Sequence, residues 1–189
     1  KIKVIGVQSE NTASYVASLK AGKPTLITTK STIADGIAVA KPGQVPFDLI
    51  SKHIDKVVTV SDNEIAKAIV ALLERSKQVV EPAGAVTVAA LMSGAFKPKG
   101  KTVAVLSGGN IDPLLMQKII GHGLEAAERY TNITVMLPDR PGQLVRTAEA
   151  IAEAQGNVVE VLHTRHGLGL DISEVELRLS VETMGHEHR

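Results

Sequence analysis

The feature that most constrains the fold of this chain is the apolar run Thr102-Val103-Ala104-Val105-Leu106, which stops abruptly at Ser107-Gly108-Gly109-Asn110. Five residues, mostly β-branched or small, read as a strand buried on both faces, the kind a parallel sheet contains. Ile111-Asp112-Pro113 then opens a helix, with proline in the first turn, where its missing N–H is no loss. In an open α/β sheet, ligands gather just beyond the carboxyl ends of the strands. From these residues alone Gly108-Gly109 has two readings: a tight strand-to-helix connection, or a bare backbone surface that approaches a flat or charged ligand.

The preceding residues repeat the alternation of strand and helix. Lys1-Ile2-Lys3-Val4-Ile5-Gly6-Val7 is a strand, and Asn11 or Thr12 can cap a helix with Ala13, Val16, Ala17 and Ala21 on one apolar face and Gly22 at its end. A loop passes through Lys23-Pro24, Lys41-Pro42-Gly43 marks a turn, and Phe47-Asp48-Leu49-Ile50 suggests a short helix. Lys56-Val57-Val58-Thr59-Val60 is a second buried strand. Ser61-Asp62-Asn63-Glu64 is a capping box, opening a helix that turns Ile65, Ala68, Ile69, Leu72 and Leu73 inward and leaves Glu64, Lys67 and Arg75 in solvent. Pro82 starts a small-residue helix over 83–92, and a last helix runs from Pro113 to Gly121. Strands alternating with helices predict a parallel α/β sheet.

Beyond Glu125-Ala126-Ala127-Glu128-Arg129 the order changes, placing a first domain at 1–127 and a second at 128–189. A strand over 132–137, the turn Asp139-Arg140-Pro141-Gly142, a helix with Leu144, Val145, Ala148, Ile151 and Ala152 on one face, and strands over 158–162 and 174–181 joined by a glycine-containing loop give β-α-β-β. That is the first part of a ferredoxin-like domain, incomplete at its carboxyl end. Because the chain opens and closes close to strands, a longer polypeptide is the expectation.

Composition removes several function classes. The net charge of +1 marks no nucleic-acid or anionic-membrane partner, and 2% aromatic residues leave few stacking platforms for single strands. Without cysteine there is no disulfide framework, thiolate site or cysteine nucleophile. No apolar run approaches the roughly 20 residues of a membrane span, so a cytoplasmic protein is expected. His163 and His166, and His186 and His188, read as solvated side chains rather than as a metal site. Glu81, just before a helix, reads on its own first of all as a first-turn dipole partner. No Gly-x-Ser-x-Gly elbow is present, and no Gly-x-Gly-x-x-Gly follows the first strand, which argues against a nucleotide-binding Rossmann fold.

Three stretches together carry a resemblance: Thr32-Ile33-Ala34-Asp35-Gly36, Glu81-Pro82-Ala83-Gly84 and Ser107-Gly108-Gly109-Asn110, joined by the opening Val4-Ile5-Gly6-Val7-Gln8. In this order and spacing the chain resembles the carboxy-terminal part of the catalytic domain of threonine dehydratases, pyridoxal-phosphate enzymes of the tryptophan-synthase-β fold (fold type II). Asp139-Arg140-Pro141-Gly142 is similar to the ligand loop of the ACT regulatory domains that follow many of these catalytic domains. The resemblance implies β-elimination of threonine to 2-oxobutanoate and ammonia, with serine dehydratases and racemases as near neighbours and an isoleucine-biosynthetic setting. It implies that Ser107 hydrogen-bonds the cofactor's pyridine nitrogen, that Gly108 and Gly109 pass beside the ring, and that Glu81 and Gly36 lie near the ring's edge or the substrate. A neutral hydroxyl holds that nitrogen protonated less well than a carboxylate would, which weakens the ring as an electron sink and favours elimination over transamination.

The same resemblance implies an effector such as isoleucine or valine at Asp139, Arg140 and Gly142, allosteric control, and a homo-oligomer, dimer or tetramer. The family's Schiff-base lysine and phosphate-binding glycine loop match nothing in this chain, which is therefore expected to be inactive alone. Relatives bind a divalent metal through an acidic residue just after the first strand; Gln8 stands there, and no metal site is expected. A competing reading is a non-catalytic amino-acid-binding module built around the Asp139-Arg140-Pro141-Gly142 loop.

Overall fold

The computed structural model describes residues 2–126, 128–166 and 169–189. The chain divides into two compact units, Lys1–Gly123 and Leu124–Arg189. Ala127, the expected end of the first domain, and Gly167 and Leu168, in the expected loop between the last two strands, lie outside the described residues.

In the first unit β1 (Ile5–Ser9) and β2 (Lys56–Val60) form a parallel pair, in register from Ile5 opposite Lys56 to Ser9 opposite Val60. The shared register brings the carboxyl ends of both strands, Ser9 and Val60, to one edge. Local chemistry starts the helix after β2: Ser61 Oγ accepts from the Glu64 amide at 3.3 Å and Glu64 Oε2 accepts from the Ser61 amide at 2.7 Å, closing the expected capping box on α3 (Asp62–Ala71). Ile65 and Ile69 of α3 are fully buried, each worth about 1.5–3 kcal/mol relative to exposure. They pack with Val60 of β2 and with Ala85, Val86 and Ala89 of α4 (Pro82–Met92). Between the two helices the chain makes a π-helical turn, Leu72–Ser76, and reverses at Lys77 in a left-handed conformation, a rearrangement that apolar spacing does not reveal.

Several expectations are corrected. α1 (Ser14–Ala21) buries Ser14 and Ser18 and exposes Val16, the reverse of an apolar face. Its inward hydroxyl at Ser18 accepts from the Thr25 amide at 2.9 Å, so a polar contact to the following loop outweighs burial of the valine. α2 extends over Gln44–His53 with only Phe47 buried. α5 runs through Gly121 to Ala126, because its close contact with α3 falls at Gly123, where a side chain would begin 3.0 Å from Ala66 O. Most consequentially, 102–106 is not a strand buried on both faces: it has no ladder among the described residues, and Val103 and Val105 are 88% and 64% exposed. Backbone in a strand needs a neighbouring backbone for its hydrogen bonds, whereas this run is tied to α4, with Thr87 Oγ1 donating to Val105 O at 2.9 Å.

The second unit has the expected β-α-β-β order: β3 (Tyr130–Pro138), α6 (Gln143–Glu153), β4 (Asn157–Thr164) and β5 (Glu174–Glu182). The sheet is antiparallel in the order β3-β5-β4. Alternation along β5 buries Val175, Leu177, Leu179 and Val181, and Ile151 of α6 packs against that apolar face. The 185–189 segment is held rather than frayed: His186 Nδ1 meets Glu128 Oε2, Arg189 Nη1 donates to Glu128 Oε1 at 3.2 Å, and His188 accepts from the Met184 amide at Nδ1 and meets Ala154 O at Nε2.

Candidate active site

Three separate sequence stretches meet at the amino end of α4. Glu81 is the residue before its first turn, in extended conformation, and Pro82 occupies the first helical position. The Glu81 amide donates to Gly108 O at 3.0 Å, and Gly84 N and Ala85 N donate back to Glu81 O at 3.0 and 3.1 Å. The backbone at Gly108 is thereby fixed directly to the helix entrance.

Each of these glycines stands where an added side chain would crowd a neighbouring segment. A Cβ at Gly84 would stand 3.0 Å from both the N and the O of Gly108, and one at Gly108 would stand 2.7 Å from Glu81 Cδ and closer still to Oε1. A Cβ at Gly109 would be 3.0 Å from Val79 O, and one at Gly36 would be 3.2 Å from Ala83 Cβ. Gly36, Glu81, Gly108 and Gly109, marked on the sequence as site candidates, thus surround the start of α4. Ser107 precedes Gly108 and Gly109 on an exposed part of the chain. Glu81 is half-buried, with its carboxylate beside Gly108 rather than out in solvent. A simple dipole partner at a helix entrance requires no such contact with a second segment.

Asp62, which the sequence marks only as a member of a helix cap, proves central to this arrangement. From the first turn of α3 it accepts at Oδ1 from Thr32 Oγ1 at 2.6 Å and at Oδ2 from the Ile33 amide at 3.1 Å. Its partners lie 30 and 29 residues away in sequence, so no local pattern signals them.

Gln8 spends its amide locally: Oε1 accepts from the Tyr15 and Val16 amides at 3.0 and 3.4 Å, and Nε2 donates to Thr12 O at 3.4 Å. Among the described residues no group of three or more His, Cys, Asp or Glu is placed to share a metal ion.

The remaining candidates belong to the second unit. Asp139 N donates to Ser173 O and Arg140 N to Pro138 O, both at 2.8 Å, while Gly142 has φ +89° and precedes the first turn of α6. Arg165 Nη2 lies 3.7 Å from Asp139 Oδ1, an ion pair across the loop that sequence spacing did not suggest. His163 and His166 flank that arginine in sequence.

The profile of the pyridoxal-phosphate dependent enzyme family matches residues 1–108. The chain is 44% identical over 189 residues to an L-threonine ammonia-lyase of Thermotoga maritima and 46% identical over 188 residues to one of Geobacter sulfurreducens. These alignments cover 100% and 99% of this chain and 47% of each relative, so the chain spans about half the length of the curated relatives it matches. Among solved structures, the processed form of threonine deaminase isoform 2 from Solanum lycopersicum superimposes with a TM-score of 0.59 at 32% identity, over 64% of this chain and 36% of that one. The fold-type II architecture expected from the sequence is the one these neighbours have.

Proposed function

Because this chain belongs to the pyridoxal-phosphate dependent enzymes, we propose that it forms the carboxy-terminal part of the catalytic domain of a threonine ammonia-lyase, followed by the start of an ACT regulatory domain. In this reading the whole protein converts L-threonine to 2-oxobutanoate and ammonia in the cytoplasm, as a homo-oligomer. The observation that carries it is the meeting of Gly36, Glu81 and Gly108 around the entrance of α4. A Cβ at Gly108 would displace the Glu81 carboxylate and one at Gly109 would crowd Val79 O, so glycine at both positions keeps this backbone where, in this reading, it passes close beside the cofactor ring.

When bound, pyridoxal phosphate supplies the electron sink for removal of the substrate's α-proton and loss of its β-hydroxyl. The work left to this chain is positioning. Ser107 would offer a neutral hydroxyl to the ring nitrogen, the Gly108 and Gly109 backbone would line the ring, and Glu81 with Gly36 would bound its edge. The family's phosphate loop and Schiff-base lysine match no stretch of these residues, and in this reading both belong to the rest of the polypeptide.

The ACT assignment is supported by the β-α-β-β order and by the αL glycine at the start of α6. Its effector would be a branched-chain amino acid such as isoleucine or valine, met by Asp139, Arg140 and Gly142, and the protein's place would be isoleucine biosynthesis under allosteric control. The test is a pair of preparations mixed with pyridoxal phosphate and threonine. The full-length polypeptide should show a borohydride-reducible cofactor absorbance and release 2-oxobutanoate, and the 189-residue chain should show neither. A stable reducible adduct on the short chain refutes the division of the pocket, and product from serine but not threonine refutes the substrate.

A further inference from the structure

We propose that Asp62 is a positioning residue of the site: acting through Thr32 and Ile33, it fixes where the Gly36 backbone stands against α4. This rests on the reading that Gly36, Glu81 and Gly108 border the cofactor.

The hydrogen bonds have a direction that the chemistry determines. A carboxylate only accepts, so the 2.6 Å contact has the Thr32 hydroxyl donating to Asp62 Oδ1. With its one proton spent, Thr32 Oγ1 must accept from Ser9 Oγ at 3.0 Å, and it also accepts from the Ala34 amide at 3.2 Å. Ser9 Oγ in turn accepts from the Asn11 amide at 3.3 Å. The chain of donors therefore runs from Asn11 through Ser9 and Thr32 and ends on Asp62, which also takes the Ile33 amide at 3.1 Å. One proton and two acceptor sites saturate the Thr32 hydroxyl.

The elements at each end make this a rigid mount. Ser9 is fully buried and ends β1, and Asp62 begins α3 directly after β2, so both anchors sit on the shared carboxyl edge of the parallel pair. The mounted segment continues through Ala34, fully buried in the core, into the 3-10 turn Asp35–Ile37. Gly36 lies in that turn, within contact range of Ala83 in the first turn of α4 and two residues from Glu81. Asn11 Nδ2 adds a bond to Ser31 O at 2.9 Å, so the segment is held on both sides of Thr32. An acidic side chain in a helix's first turn can serve the dipole or close a cap on the backbone. The capping box of α3 is closed by Ser61 and Glu64, which leaves both Asp62 oxygens for the distant segment.

Asp62→Asn places an amide that donates where the wild-type oxygen accepts, so either Thr32 or Ile33 loses its acceptor. Glu64→Gln weakens the same helix start without touching Thr32 or Ile33, and is the control. In the full-length polypeptide stripped of cofactor, pyridoxal-phosphate titration followed by visible circular dichroism should show the Kd raised about tenfold by Asp62→Asn, the equivalent of one charge-assisted hydrogen bond. The sign or intensity of the bound-cofactor band should change as well. Amide exchange at Ile33 and Ala34 should accelerate by about tenfold with no cofactor present. Glu64→Gln should lower Tm while leaving the Kd and the band as they are.

Should Asp62→Asn not fold, Thr32→Val removes the middle of the relay, with about a threefold rise in Kd expected. A Kd within about twofold of wild type in the folded variants, or an equal rise in Glu64→Gln, overturns the positioning role and reduces Asp62 to a stabiliser of α3. Failure of the wild-type polypeptide to bind pyridoxal phosphate overturns the site reading itself, and this inference with it.

Discussion

The Glu81 amide donates to the carbonyl of Gly108 at 3.0 Å, and the Glu81 carboxylate fills the space where a Gly108 side chain would begin. Backbone and side chain of one residue thus hold one glycine 27 positions later, and the two motifs become a single surface.

This surface distinguishes two alanine substitutions. The Cβ in Gly84→Ala meets backbone atoms of Gly108 and Val80 Cγ1, all at 3.0 Å, and backbone gives little. We expect a loss of about 1–3 kcal/mol in chemical denaturation. Gly108→Ala instead meets the far end of the Glu81 side chain, which can rotate away. That variant should keep its Tm within about 2 °C and lose cofactor binding, so the denaturation midpoint separates the two.

Ser107 is exposed, and in the proposed site its hydroxyl serves the cofactor rather than the fold. Ser107→Ala should leave stability within about 0.5 kcal/mol while kcat/KM of the full-length enzyme falls by about tenfold. Unchanged kinetics with a shifted denaturation midpoint would refute the assignment.

The Ser61 and Glu64 side chains close the capping box of α3 on each other and make no bond to the 32–36 segment. Ser61→Ala removes the acceptor for the Glu64 amide and should cost about 1 kcal/mol by urea denaturation. The KM for threonine should not move.

In the second unit Gly142 has φ +89°, a region that costs a residue with a side chain roughly 1–2 kcal/mol. Gly142→Asp would add a carboxylate that repels the carboxylate of the proposed effector. Calorimetric heat from isoleucine or valine should vanish in the full-length variant, while the threonine reaction measured without effector persists. Undiminished heat would place the effector elsewhere.

The sequence was most legible where local chemistry decides. The Ser61–Glu64 box, the proline start of α4, the αL Gly22 and the two-residue alternation of β5 are each written in adjacent residues, and each is found where the pattern places it. The site candidates Gly36, Glu81 and Gly108 were legible only as motifs in order; neither their contact nor its distances could be read from spacing.

What the sequence determined by itself is the series of elements, the change from parallel α/β to β-α-β-β, and the positions where a side chain is absent. The tertiary structure alone decided that 102–106 runs along α4 without a ladder, that α1 turns serines inward, and that Asp62 serves a segment about thirty residues away. The physical reason is one of range. Caps, turns and alternation are closed by bonds within a few residues, whereas a strand's ladder, a helix's buried face and a carboxylate's partners depend on which distant backbone arrives beside them.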